Sequence, residues 1–147
     1  MMLKNIPAFI DAELLWVLAS MGHGDTLAIV DRNFSASRVA LKTHMRKLIV
    51  LNGIDASTAV AGILQLMPLD RFVENPLMHM EDPQHPGELL EVHAQVQAAC
   101  IKAEGREIKS QPIERFAYYP LAEACVGVIQ TAETRPYGNF ILSKDAI

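Results

Sequence analysis

The sequence predicts an α/β domain with a central sheet between helices. Short apolar runs of strand length alternate with capped helical stretches, turn residues fall between them, and 147 residues suit one compact domain. The domain is expected to span residues 1–147.

Asp11 is a good N-cap, and Leu14, Leu15, Leu18 and Met21 follow at helical spacing, with Gly22 as the expected stop. Residues 26–31 (TLAIVD) form an apolar run that ends in an acid and is read as a buried strand. Residues 32–38 look like loop. Residues 47–51 (KLIVL) are a second strand, and Asn52–Gly53 a turn. Asp55 can cap a helix through Val60, Ile63, Leu64 and Met67, which Pro68 would end. A short strand over 77–80 precedes the turn-rich EDPQHPGE, and a long helix is expected from Pro86 or Gly87 to about Ala103. Residues 104–112 are polar and connecting. Pro120 suits the first position of a short helix, 125–131 reads as a strand, and 140–142 as another after Pro136 and Gly138.

Composition narrows the function classes. Half the residues are hydrophobic and 20% charged, lean for a small soluble monomer, so some apolar surface is expected in a homo-oligomeric contact. A net charge of −4 without a basic cluster disfavours nucleic acid. No apolar stretch approaches the ~20 residues of a bilayer span. The opening MMLKNIPAFIDAELL lacks the apolar core and cleavage site of a secretory leader. Cys100 and Cys125 are read as buried free thiols, which fits a reducing cytoplasm.

Candidate chemistry begins at MGHGD. Glycines on either side of His23 leave its imidazole uncrowded, and a histidine near its reference pKa of about 6.5 can move protons at neutral pH. The plain alternative is an exposed loop histidine. Asp31, closing its strand, is either a turn residue or an acceptor that orients a hydroxyl or a ring. Asp70, after Pro68 and Leu69, has the same two readings. In IERFAYYP, Arg115, Tyr118 and Tyr119 can cover and hydrogen-bond a sugar, or pack in the interior. In RPYGNFIL, Tyr137 and Asn139 flank Gly138; an amide suits a hydroxyl that both donates and accepts, and a structural turn is the alternative. His79, His85 and His93 are not spaced as ligands on one helical face, and HExxH and CxxC pairs are lacking, so no metal is expected. No GxSxG elbow is present. His44 among Lys42, Arg46 and Lys47 reads as a solvated basic face.

These segments, in their order and spacing, resemble the L-fucose mutarotase and D-ribose pyranase family, on its fucose branch. The resemblance runs through ELLWVLASMGHGD, IVDRNF, LMPLDRFVENP, ERFAYY and TAETRPYGNFIL. It implies a three-layer α/β/α fold and an enzyme that interconverts the anomers of a free monosaccharide, L-fucose first, without cofactor or metal. His23 is then the proton donor, and Tyr137 falls on a sugar-site position. Asp31, Asp70, Arg115, Tyr119 and Asn139 are sugar contacts. Rings of subunits, often decamers, with sites near subunit contacts, are also implied. The chain departs from the family pattern at Ser35, in place of Pro, and at Pro120, in place of Glu. The stretch ALKTHMRKLIVLNGID also lacks the family's RADG wording.

Anomers interchange when the hemiacetal opens, the aldehyde rotates and the ring closes. Opening puts a proton on the ring oxygen and removes one from the anomeric hydroxyl. His23 is expected to handle one transfer, and Tyr137, Tyr119 or a water the other. These groups are expected to converge on one cleft. Pyranose–furanose conversion of ribose and non-catalytic sugar binding are the two alternatives.

Overall fold

The computed structural model describes residues 3–147; Met1 and Met2, which open the segment read for a leader, lie outside them. Eleven elements follow one another: α1 (Ala12–Ser20), β1 (Thr26–Val30), α2 (Ala36–Ala40), β2 (Lys47–Val50), α3 (Ala56–Ile63), β3 (Leu77–Met80), α4 (Glu91–Glu104), β4 (Gln111–Ile113), α5 (Arg115–Glu123), β5 (Gly127–Gln130) and β6 (Phe140–Ser143).

The strands form one six-stranded sheet in the order β2-β5-β1-β6-β3-β4. β1, β2 and β5 run parallel, as do β3 and β4, and β6 lies antiparallel between β1 and β3. Side chains alternate across the sheet because strand residues point to opposite faces in turn. Leu27, Ile29, Phe140 and Leu142 join the larger core with residues of α1, α3 and α4, while Ala28, Val30 and Ile141 join a smaller one with α2 and α5. The three layers follow.

Local chemistry explains most boundaries. The Leu14 N–H donates to Asp11 Oδ1 at 2.9 Å and the Thr58 N–H to Asp55 Oδ1 at 2.9 Å, so both aspartates cap their helices as expected. The structure corrects several other boundaries. α1 ends at Ser20, with Met21 extended; Gly24, at φ +85°, takes the left-handed turn instead of Gly22. The stretch read as loop at 32–38 begins α2. α3 stops at Ile63, short of Pro68, and β5 starts only at Gly127. α4 starts at Glu91, because Gly87 at φ +77° and the turns through His85 and Glu88 break any earlier helix. Connecting residues 104–112 run into β4, an edge strand, where Pro112 is tolerated. Pro120 lies inside α5 rather than at its start, since Glu114 caps the helix by accepting from the Phe116 and Ala117 N–H groups at 3.0 and 2.9 Å.

Candidate active site

Five parallel strands point their carboxyl ends to one side, and there the loops after β1, β3 and β4 meet the start of β6. In open α/β sheets ligands sit in such a crevice. A pocket of about 220 Å³ lies there, lined by Asp31, Asn33, Phe34, Met80, Arg115, Tyr119, Pro136, Tyr137 and Asn139. Five of the residues singled out from the sequence therefore share one cavity: Asp31, Arg115, Tyr119, Tyr137 and Asn139.

Each wall has a local cause. Asn139 precedes β6 and is buried; its Oδ1 accepts the Asp31 N–H at 2.9 Å, and its Nδ2 lies 3.6 Å from Met80 Sδ. Asp31 Oδ1 accepts the Asn33 N–H at 3.0 Å. Burial pushes the Asp31 carboxyl above its usual range, against the backbone donors of Asn33, Phe34 and Gly138, and Glu133 adds to the rise. Tyr119 is stacked on Phe34 with centroids 5.1 Å apart, and the Arg38 guanidinium covers its ring at 5.9 Å. Tyr118 is the interior member of the pair: fully buried, its hydroxyl donates to Phe140 O at 2.9 Å. Arg115 is exposed at the rim.

His23 and Asp70 lie elsewhere. The exposed imidazole places Nε2 3.0 Å from Oδ1 of Asp70, which is buried and also accepts the Phe72 N–H at 2.9 Å. An ionised carboxylate only accepts, so the pair sets the proton on Nε2 and leaves Nδ1 as the outward acceptor. Phe72, itself 72% exposed, lies against the ring at a centroid distance of 5.0 Å. Asp70 is thus both a turn residue and the partner of His23.

This pair occupies the amino end of β1, whereas Asp31 closes its carboxyl end. Five strand residues at about 3.3 Å each hold the two groups roughly 16 Å or more apart. The single cleft expected from the sequence is therefore not formed within one chain. The physical reason is the strand itself: MGHGD precedes β1, and the Asp of IVD follows it.

Ligand atoms of His23, Asp70 and Asp145 all lie within 4.8 Å of one another, but Asp145 is already engaged by Arg71 through both Nε and the backbone N–H. His79 and His93, read only as poor metal ligands, are buried against one another, with centroids 4.0 Å apart and planes tilted by 35°. Burial and the neighbouring His93 push the His79 imidazole down to about 4. Sequence reasoning missed Asn33, Phe34, Met80 and Pro136 as pocket walls. Phe34 and Met80 are ordinary apolar residues, and only their places in the fold mark them: the loop between β1 and α2, and the end of β3.

Residues 4–147 match the family model described as the RbsD / FucU transport protein family. The chain belongs to that family. Among RbsD/FucU relatives, the L-fucose mutarotase of Actinobacillus pleuropneumoniae serotype 5b is 40% identical over 145 residues, covering 97% of this chain and 96% of the relative. Protein Atu2016 superposes with a TM-score of 0.95 at 40% identity, covering 99% of this chain and 97% of the other. The fucose mutarotase of Streptococcus pneumoniae, solved in complex with L-fucose, superposes with a TM-score of 0.84 at 29% identity over 99% of both chains. Among the described residues, no helix is long and apolar enough to cross a membrane.

Proposed function

We propose that this protein is a mutarotase for a free aldose, with L-fucose as the first substrate to test, working by acid–base catalysis at a site shared between two copies of the chain. The observation that carries the reading is the pocket of Asp31, Arg115, Tyr119, Tyr137 and Asn139, a sugar-sized cavity with a carboxylate, an amide and two phenols on its walls. Its full-length likeness to named L-fucose mutarotases supplies the reaction.

In this reading the pocket holds the sugar. Asp31, Asn139 and Arg115 bind hydroxyls, and the rings of Tyr119 and Tyr137 cover apolar C–H surface. His23 of a neighbouring copy, oriented by its own Asp70, brings Nδ1 to the anomeric hydroxyl and takes its proton. A tyrosine hydroxyl or a water exchanges the second proton, and the roles reverse on closure. A single positioned acid–base group contributes about 10²–10⁴-fold.

Exposed aromatics support the shared site. Phe72 stands beside His23 at one end of the sheet, and Phe116 (71% exposed) beside Arg115 at the other. Burying a head against a tail in successive copies generates a closed ring where the rotation between copies closes. We propose such a homo-oligomeric ring, placed in the cytoplasm, where the free thiols Cys100 and Cys125 would stay reduced.

Saturation-transfer NMR on α- and β-L-fucose, with D-ribose in parallel, tests this directly. Faster fucose anomer exchange than in water is expected; exchange at the water rate with every aldose tried would refute the assignment. Mixing His23→Ala with Tyr137→Ala, each inactive alone, should restore activity in about a quarter of sites if the halves come from different copies. No recovery after co-refolding would refute the shared site.

A further inference from the structure

Tyr137 stands in the pocket with an unusual backbone. Its φ is +60°, in the left-handed region that a side chain with a Cβ enters only at a cost. Its neighbour Gly138 is tightly enclosed: a Cβ there would meet Glu133 Cγ at 2.9 Å and Val92 Cγ2 at 3.5 Å. Something must hold this turn against relaxation, and the contacts lead to the start of α4.

His93, the third residue of that helix, is fully buried. Its Nδ1 accepts the backbone N–H of the N-cap residue Leu90 at 3.1 Å, the N3 half of a capping box. With Nδ1 committed as an acceptor, the ring proton of the neutral imidazole sits on Nε2, which donates to the carbonyl oxygen of Tyr137 at 2.8 Å. The ring cannot swing away. His79 lies against it at a centroid distance of 4.0 Å, tilted by 35°, with its own Nδ1 tied to Ser110 Oγ at 2.6 Å, and Phe140 meets it edge-on at 5.8 Å. Burial lowers the affinity of His93 for a second proton, which favours the neutral, single-donor form this arrangement needs. A second tie joins the same two segments, since Arg135 Nη2 donates to Gln95 Oε1 of α4 at 2.8 Å.

We propose that His93 is a positioning residue for the sugar site: by donating from Nε2 to the Tyr137 carbonyl, it holds Tyr137 in its left-handed conformation and so aims the phenol at the sugar. The proposal rests on the assignment of Tyr137 to that site. It makes the tautomer of a buried imidazole, on a helix outside the pocket, a determinant of sugar recognition.

The test compares His93→Leu, which removes the donor, with His93→Gln, which keeps a donor and an acceptor at similar reach. Kinetics come from saturation-transfer NMR, and the backbone of Tyr137 is read from its Cα and carbonyl chemical shifts. His93→Leu is expected to lower kcat/KM about 10- to 100-fold, mostly through KM, while Tyr137 shifts leave the left-handed range. His93→Gln is expected to restore most of both. Wild-type rates and Tyr137 shifts in His93→Leu would overturn the proposal, as would equal loss in both variants with the Tyr137 shifts unchanged. If the leucine variant does not fold, the wild-type imidazole ¹⁵N spectrum decides: a proton on Nδ1 instead of Nε2 overturns it. Tyr137→Ala with undiminished anomer exchange would instead remove Tyr137 from the sugar site, leaving the backbone readout of the clamp intact.

Discussion

The side-chain oxygen of Asn139 accepts the backbone N–H of Asp31 at 2.9 Å, across 108 residues of sequence. The bond ties the carboxyl end of β1 to the amino end of β6, and it uses one end of the amide for architecture while the other end faces Met80 and the pocket.

Asn139→Ala should therefore be doubly damaging. It leaves the Asp31 N–H buried without a partner, at a cost of about 1–3 kcal/mol. Urea unfolding should show that loss, and fucose exchange should fall to the water rate. An unfolding midpoint equal to that of wild type would show the bond to be dispensable.

His23→Ala should separate chemistry from stability. The imidazole is exposed, so thermal unfolding should barely change while anomer exchange drops about 10²-fold or more. Asp70→Asn should do likewise by freeing the ring's tautomer. Retained exchange in both would exclude the pair from proton transfer.

Asp31→Asn should trade function for stability. Burial holds the folded Asp31 pKa above its unfolded value. Stability from this group is therefore full below the unfolded pKa and is lost as pH rises through the folded one. At pH 7 the charged carboxylate is a liability, so the amide variant should melt a few degrees higher at pH 7 yet bind fucose poorly. A lower melting point at pH 7 would contradict the burial argument.

The buried histidines predict the acid limb of stability. His79 titrates near 4 when folded and near 6.5 when unfolded, and His93 is shifted in the same direction. For a depressed base the unfolded state binds more protons between those values, so stability falls as pH drops from 6.5 toward 4, by up to about 1.4 kcal/mol per pH unit for His79. His79→Phe should flatten this slope in urea melts at stepped pH. An unchanged slope would assign acid unfolding to other groups.

Phe72→Glu should break the assembly. The ring is 72% exposed in the single chain and sits beside His23, where a neighbour would cover it. Analytical ultracentrifugation should show smaller species, with exchange activity lost alongside. A full-size, active assembly would place the contact elsewhere.

Much of the fold was legible because its signals are local. Asp11 and Asp55 announce their helices by capping, and TLAIV and LMHM are apolar strands with turn residues around them. What escaped the sequence depends on distant partners. The short helix α2 has no cap hydrogen bond from Ser35, and Pro112 reads as connection until β3 is found beside it. Pro120 looks like a helix start unless Glu114, six residues earlier, is recognised as the cap of α5. The candidate residues themselves were recognisable from the motifs that carry the resemblance. Their division between the two ends of β1 was in the sequence too, as a five-residue strand between His23's loop and Asp31, but its meaning required the sheet. The His23–Asp70 pair and the His93 clamp bridge 47 and 44 residues, and no periodicity reports such contacts.

The antiparallel placement of β6 has a consequence of its own. This one strand follows directly on Asn139, beside the pocket, and runs on into Lys144 and Asp145, whose backbone and side chain brace the loop and turn that hold His23 and Asp70. In the proposed shared site, this four-residue rod sets the spacing between the half a copy offers forward and the half it offers back. Diluted to lone chains, the protein would keep its sugar cradle and its proton shuttle yet have no centre where they meet, so turnover per molecule should collapse with concentration even though every copy remains folded.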